Sequence, residues 1–154
     1  MERSIELRLE SMAHGGEALG RHEEKIVFVP YAIPGELVRV EVVQERDRWA
    51  RAVLSQVLQP SVDRIDPACP YFGPGKCGGC QWQHIRYPRQ AELKAEILAD
   101  QLRRLGRISK PPVAETLVLT DESQDLHEPV DVPFLQFGYR NHVQLVAAPG
   151  GGLG

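Results

Sequence analysis

The chain has 154 residues, a formal net charge of −3 and 42% hydrophobic residues. That length allows one domain, or one small domain and part of another. No segment approaches the roughly 18 apolar residues that a membrane span needs, and the N-terminal sequence MERSIELRLE lacks the apolar core of a signal peptide. We therefore expect a cytoplasmic protein without a membrane partner, whose cysteines stay reduced and act as metal ligands rather than disulfides.

Charge is distributed unevenly along the chain. Residues 61–110 carry nine Lys or Arg against five Asp or Glu, whereas residues 111–154 carry one against six. The basic middle segment favours an anionic partner. The sequence gives no indication of a protein partner.

The first part of the chain predicts short strands joined by Gly and Pro turns. In residues 3–9, Ile5, Leu7 and Leu9 alternate with charged residues, as in a half-buried strand. The register of the fourth strand stays open, because its apolar series begins at either Leu37 or Val38. Short strands at this spacing are typical of a small closed antiparallel barrel. The predicted strands cover residues 3–9, 17–21, 25–29, 36–44 and 49–58.

A helix is predicted after Pro88, running to about Leu105. Its apolar residues recur at steps of three and four and predict a single buried face. Gly106 suits the position that follows the last helical turn. The residues of the predicted face are Ala91, Ala95, Leu98, Leu102 and Leu105.

Three segments follow from these patterns. Residues 1–59 form the barrel domain, and residues 60–110 hold a proline-flanked linker at 59–68, a cysteine loop and the helix. Residues 111–154 begin a β-rich domain, with strands expected at 114–120 and 134–148. The last strand has no partner after it, and because complete domains cover such edges, this domain is expected to be truncated.

The cysteine loop is the strongest chemical signal in the sequence. Cys69, Cys77 and Cys80 lie within twelve residues, and the chain has no other cysteine. With His84 they match a Cys₃His zinc site. With a fourth cysteine from elsewhere they match an iron–sulfur site, and a Cys-x-x-Cys redox pair or unliganded thiols remain as further interpretations. Gly78 and Gly79 let the backbone turn tightly and direct amide groups at sulfur.

Two groups of side chains suggest nucleic-acid binding. A small barrel often binds oligonucleotides on one sheet face, and basic residues occur on the predicted strands and the hairpin that joins two of them. Aromatic residues near the cysteines either stack on RNA bases or shield a metal from water. No catalytic residue and no cofactor-binding residue is predicted, because no nucleophile–base pair and no phosphate-binding loop is present. The basic candidates are Lys25, Arg46, Arg48 and Arg51; the aromatic ones are Tyr71, Phe72, Trp82 and Tyr87.

Four stretches, taken in this order, resemble a known family. They are Ile5 to Gly20, Lys25 to Glu36, the cysteine run from Cys69 through Cys80-Gln-Trp-Gln-His84, and Phe137-Gly-Tyr-Arg-Asn141. Together they resemble the N-terminal part of RNA uracil-5-methyltransferases that begin with a TRAM domain, including those acting on 23S ribosomal RNA. The resemblance implies a mainly β fold with α: a five-stranded OB-like TRAM barrel, an iron–sulfur loop, one amphipathic helix and part of an α+β central domain.

The resemblance also implies a function. Cys69, Cys77 and Cys80 would be three ligands of a [4Fe–4S] cluster whose fourth ligand lies beyond Gly154. The intact protein would transfer a methyl group from S-adenosylmethionine to C5 of a uridine in RNA, with ribosomal RNA as the expected partner. The chain would be an N-terminal fragment that is inactive alone, because the catalytic cysteine and the cofactor domain are missing. The alternative is a stand-alone zinc-bound RNA-binding module.

Overall fold

The computed structural model describes residues 3–117 of the chain. These residues form five strands and one α-helix, so the predicted number and order of strands are confirmed. The strands are β1 (Arg3–Met12), β2 (Ala18–His22), β3 (Lys25–Val29), β4 (Leu37–Glu45) and β5 (Trp49–Gln59), and the helix is α1 (Tyr87–Arg104). Among the described residues, no helix combines the length and apolarity that crossing a bilayer requires.

The five strands close into a barrel with the neighbour order β1-β2-β3-β5-β4. Closure comes from β4, which pairs with β5 on one side and with β1 on the other. One part of the prediction was wrong, because β3 and β5 run parallel, with Ile26 beside Trp49. A closed ring with an odd number of strands cannot alternate in direction all the way round, so at least one neighbouring pair must be parallel.

Alternating side chains fill the barrel as the sequence predicts. Ile5, Leu7 and Leu9 of β1 are buried, and the residues between them are exposed. In β4 the open register is settled in favour of Val38 and Val40, which are both fully buried. A slip of one residue would have moved this apolar set to the solvent face.

The hydrophobic core continues beyond the barrel. Ile85 and Leu93 are fully buried in the same cluster as the barrel residues, and Trp82 and Ile97 pack against it. The end of the cysteine loop and the first half of α1 therefore share one core with the strands.

The buried face of α1 differs from the predicted one. The helix contacts the core through Leu93 and Ile97, whereas Leu98 is 51% exposed and Leu105 is 76% exposed. At 3.6 residues per turn, the predicted apolar stripe and the stripe of Leu93 and Ile97 lie on nearly opposite sides of the helix. Both stripes have helical periodicity, so periodicity alone could not select the one that packs on the barrel.

The residues after the helix are described as far as Leu117. Gly106 follows the last helical residues, as expected, and its N–H donates to the carbonyl of Gln101. The hydroxyl of Thr116 donates to the carbonyl of Ala91 at 2.8 Å, so this segment returns along the helix. Residues 114–117 of the predicted 114–120 strand have no regular secondary structure. The predicted strand 134–148 and the Phe137–Asn141 motif lie outside the described residues.

Candidate nucleic-acid interface and cysteine loop

A buried ion pair joins the barrel to the segment after β5. Both carboxylate oxygens of Glu36 accept from Arg64, at 2.6 and 2.7 Å. They also accept from the backbone N–H groups of Ile33 and Ser61. Arg64 in turn donates to the carbonyl of Tyr31 at 3.1 Å. The predicted linker is therefore attached to the barrel at residues 61–64.

The electrostatics of this junction favour a charged Glu36. Burial alone would raise the pKa of its carboxyl group, since the side chain is fully enclosed. Hydrogen bonds from Arg64, Ser61 and Ile33 and the charge of Arg64 outweigh burial and lower the pKa below its usual 4.5. Sequence reasoning missed this pair, although a glutamate directly after an apolar Pro-Gly turn was the available signal.

His84 lies inside the same junction and away from solvent. Its ring packs against Phe72, with centroids 5.6 Å apart, and lies near Tyr31. Burial and the charge of Arg64 lower its pKa to about 4, against weaker opposing effects from the Ala32 backbone and Glu36. Neither ring nitrogen has a hydrogen-bond partner among the described residues.

Trp82 fastens the cysteine loop to the first turn of the barrel. Its indole Nε1 donates to the carbonyl of Gly16 at 2.9 Å. Gly16 has a φ of 82°, a conformation that favours glycine. A Cβ at Gly16 would lie 3.1 Å from the indole nitrogen of Trp82, so the positive φ and the close approach of Trp82 both favour glycine here. Of the aromatic candidates, Trp82 and Phe72 thus pack on the barrel, whereas Tyr71 is largely exposed.

The three cysteines lie on a loop built from short turns. Cys77 and Cys80 are exposed, Cys69 is half-buried, and all three are free thiols. The N–H of Gly79 donates to Sγ of Cys77 at 3.4 Å, as predicted for this glycine pair. The backbone turns at Gly78 and Gly79, as predicted, and Gly78 has open space around it. Gly73 and Gly75, earlier in the loop, have positive φ.

The donor atoms suit a soft metal in type but are not gathered into a ligand set. Thiolates are the ligands that zinc and iron–sulfur clusters prefer. Within residues 3–117, no three His, Cys, Asp or Glu side chains lie close enough to hold a metal ion. His84 packs against aromatic rings on the barrel side rather than joining Cys69, Cys77 and Cys80.

The basic candidates divide into paired and unpaired residues. Lys25 donates to Glu45 at 2.6 Å, and Arg51 donates to Glu17 at 2.7 Å while lying over the ring of Phe28. Arg46 and Arg48, on the β4–β5 hairpin, are exposed, and their side chains have no ion-pair partner in the described part of the chain. Of the four basic candidates, Arg46 and Arg48 can therefore contact phosphate without first breaking an ion pair.

Comparison with known proteins shows a family match for the barrel and similarity to longer proteins for most of the chain. Residues 3–54 match the TRAM domain. The 23S rRNA (uracil(1939)-C(5))-methyltransferase RlmD of Shewanella amazonensis is 40% identical over 122 residues, which are 79% of this chain and 26% of that protein. The chain therefore contains a TRAM domain and is similar to RNA methyltransferases over most of its length.

Other RNA methyltransferases match a similar share of the chain. An RNA methyltransferase of Streptomyces avermitilis is 42% identical over 112 residues, 71% of this chain and 26% of its own length. One from Thermosynechococcus vestitus is 34% identical over 140 residues, 91% of this chain and 28% of its own length. The chain thus spans about a quarter of the length of the curated relatives it matches.

Proposed function

We propose that this chain is the RNA-binding and cluster-bearing portion of an S-adenosylmethionine-dependent methyltransferase that modifies C5 of a uridine in 23S ribosomal RNA. The similarity to a 23S rRNA uracil-C5-methyltransferase, which extends over 79% of the chain, carries this proposal. The closed barrel supports it, because small barrels offer a sheet face and loops that bind oligonucleotides.

In this proposal the barrel holds RNA and leaves the chemistry to another part of the intact protein. Arg46 and Arg48 are exposed on the β4–β5 hairpin without ion-pair partners among residues 3–117, which suits contacts to phosphate. The sequence has no cysteine besides the three proposed cluster ligands. It therefore contains no further cysteine that could attack a pyrimidine as the nucleophile.

The cysteine loop would hold an iron–sulfur cluster through Cys69, Cys77 and Cys80. The fourth ligand of the cluster would be a residue other than these three cysteines. The free thiols and the N–H of Gly79 directed at the sulfur of Cys77 support this proposal. When bound, a cluster would cross-link the loop and hold the Trp82 end in place against the barrel.

The metal content of the intact protein tests the cluster. Purified without oxygen, it should contain iron and sulfide and show broad visible absorbance from thiolate-to-iron charge transfer. Cys69→Ser, Cys77→Ser and Cys80→Ser should each lose iron. Pro74→Ser, an exposed change in the same loop, is the matched control and should keep it. A colourless protein with one tightly bound zinc would instead support the zinc-module alternative.

Methyl transfer is tested with the protein encoded by the complete reading frame. Incubated with S-adenosylmethionine and unmodified 23S ribosomal RNA, it should form 5-methyluridine, whereas residues 1–154 alone should form none. Product formed by residues 1–154 alone would contradict the assignment of this portion to RNA binding. No product with the intact protein would contradict the methyltransferase proposal.

A further inference from the structure

A cleft of about 310 Å³ opens where the cysteine loop meets the barrel. Its walls are the Gly15–Glu17 turn, Pro30, Tyr31, Arg51 and Gln81. That volume is at the lower end of the range for small-ligand sites, which suits one planar group rather than a large ligand. The cleft is thus lined by the β1–β2 turn, the residues after β3, the start of β5 and one residue of the cysteine loop.

The charges at the cleft do not suit a bare anion. Arg51 is the cation of the lining, and its Nη1 donates to Oε1 of Glu17 at 2.7 Å, so the pair is close to neutral. The guanidinium also lies over the ring of Phe28, with Cζ 5.7 Å from the ring centroid. Both contacts fix the orientation of its plane, and a fixed guanidinium plane is a surface on which a nucleobase stacks.

The remaining walls match the other properties of a nucleobase. Tyr31 is the one aromatic residue among the lining residues. The exposed Gln81 amide carries both hydrogen-bond donors and an acceptor, as a base edge requires. A neutral planar group with polar edges fits these walls better than a phosphate does.

Tyr31 is held in a strained conformation at this position. Its φ is 61°, which is rare for a bulky side chain. The donor contact from Arg64 to its carbonyl and the edge-on contact of its ring with Phe72, at 5.4 Å, hold it there. Strain of this kind persists where the surrounding structure imposes it, and it concentrates at ligand-binding sites.

We propose that this cleft binds the base of one unpaired RNA nucleotide, between Tyr31, Arg51 and Gln81. The inference rests on the proposed RNA-binding function and specifies which part of the chain contacts phosphate and which part contacts a base. The hairpin cations Arg46 and Arg48 contact phosphates, and the cleft holds a base. The barrel and the cysteine loop then form one RNA site, to which the loop contributes Gln81.

Binding of two probes to the full 154-residue chain tests this division. One is an oligouridine of about twelve nucleotides, and the other is the abasic ribose-phosphate chain of the same length. The wild type should bind oligouridine about tenfold more tightly, the contribution of one stacked base. Gln81→Ala should reduce this ratio, and Tyr31→Asn should bring it close to one, since Asn tolerates the left-handed backbone. Arg46→Ala is the control and should weaken both probes equally.

The outcomes separate the two proposals. Equal affinity of the wild type for both probes would overturn the base-binding cleft and leave RNA binding through phosphate intact. A tenfold preference that survives in Gln81→Ala and Tyr31→Asn would place the base elsewhere and also overturn it. If neither probe binds with salt-sensitive affinity, RNA binding itself fails, and the cleft proposal fails with it. Circular dichroism of each variant confirms that the barrel is folded.

Discussion

The indole nitrogen of Trp82 donates to the carbonyl of Gly16 at 2.9 Å and thereby joins two segments 66 residues apart in the sequence. The contact places the end of the cysteine loop on the β1–β2 turn of the barrel. Gly16 suits this contact because its φ of 82° is rare for residues with a side chain and a Cβ would lie 3.1 Å from the indole nitrogen of Trp82. The barrel and the candidate metal loop are therefore joined by a specific contact that mutation can test.

Trp82→Phe should loosen the cysteine loop without unfolding the barrel. It removes one hydrogen bond, worth about 1 kcal/mol net, and part of the packing against the core. Urea denaturation should show the loss of stability. Relative to wild type, hydrogen exchange in the variant should become faster in residues 69–85 and stay unchanged in β1 and β4. Tyr71→Phe, in the same loop but with an exposed ring, should change stability by less than about 0.5 kcal/mol. Equal effects of the two variants would contradict the anchoring role.

Glu36→Gln should destabilise the chain by roughly 3 kcal/mol, since removing one partner of a buried pair leaves the other charge poorly compensated. Glu6→Gln is the matched control, because Glu6 pairs with Arg39 at 2.6 Å on the exposed surface. Its loss should cost less than about 1 kcal/mol. Urea denaturation at neutral pH measures both, and similar costs would show that the Glu36–Arg64 pair is not a structural junction.

The same junction should respond to acid in a defined direction. The pKa of Glu36 is lowered from 4.5, so its contribution to stability is complete above pH 4.5 and is lost as the pH falls through the folded-state value. Wild type should lose more stability than Glu36→Gln when the pH is brought below 4.5.

His84 should make the fold sensitive to milder acid. Its pKa is about 4 in the fold against 6.5 when unfolded, so only the unfolded state gains a proton between those values. Stability should therefore fall by as much as roughly 3 kcal/mol as the pH drops from 6.5 to 4. His84→Phe should remove this loss, and the exposed-site control His14→Asn should keep it. An unchanged pH profile in His84→Phe would contradict the account.

Arg46→Ala should weaken RNA binding without changing base preference. One fewer phosphate contact should lower the slope of log affinity against log salt by about 0.7 for single-stranded RNA. Arg39→Ala is the control, because Arg39 already pairs with Glu6 and should affect the slope little. Equal slopes for wild type and Arg46→Ala would remove the β4–β5 hairpin from the interface.

The strands could be predicted because each carries its own short apolar pattern, and Gly or Pro turns mark the ends of β1 and β3; the third was placed at 25–29, where β3 lies. Long-range features could not be predicted in this way. Glu36 and Arg64 are 28 residues apart, and no local pattern connects them. The helix offers two apolar stripes, and only the position of the barrel selects Leu93 and Ile97. The thiols were found by their spacing, but spacing does not determine how a loop arranges its sulfur atoms.

We propose that the intact protein makes 5-methyluridine in 23S ribosomal RNA. The most direct measurement is the 5-methyluridine content of 23S ribosomal RNA from cells with and without the gene, mapped by mass spectrometry of RNA fragments. The account predicts that one modified uridine is lost on deletion and restored by the intact gene. Unchanged 5-methyluridine in 23S ribosomal RNA, with loss of the modification from another RNA, would contradict it.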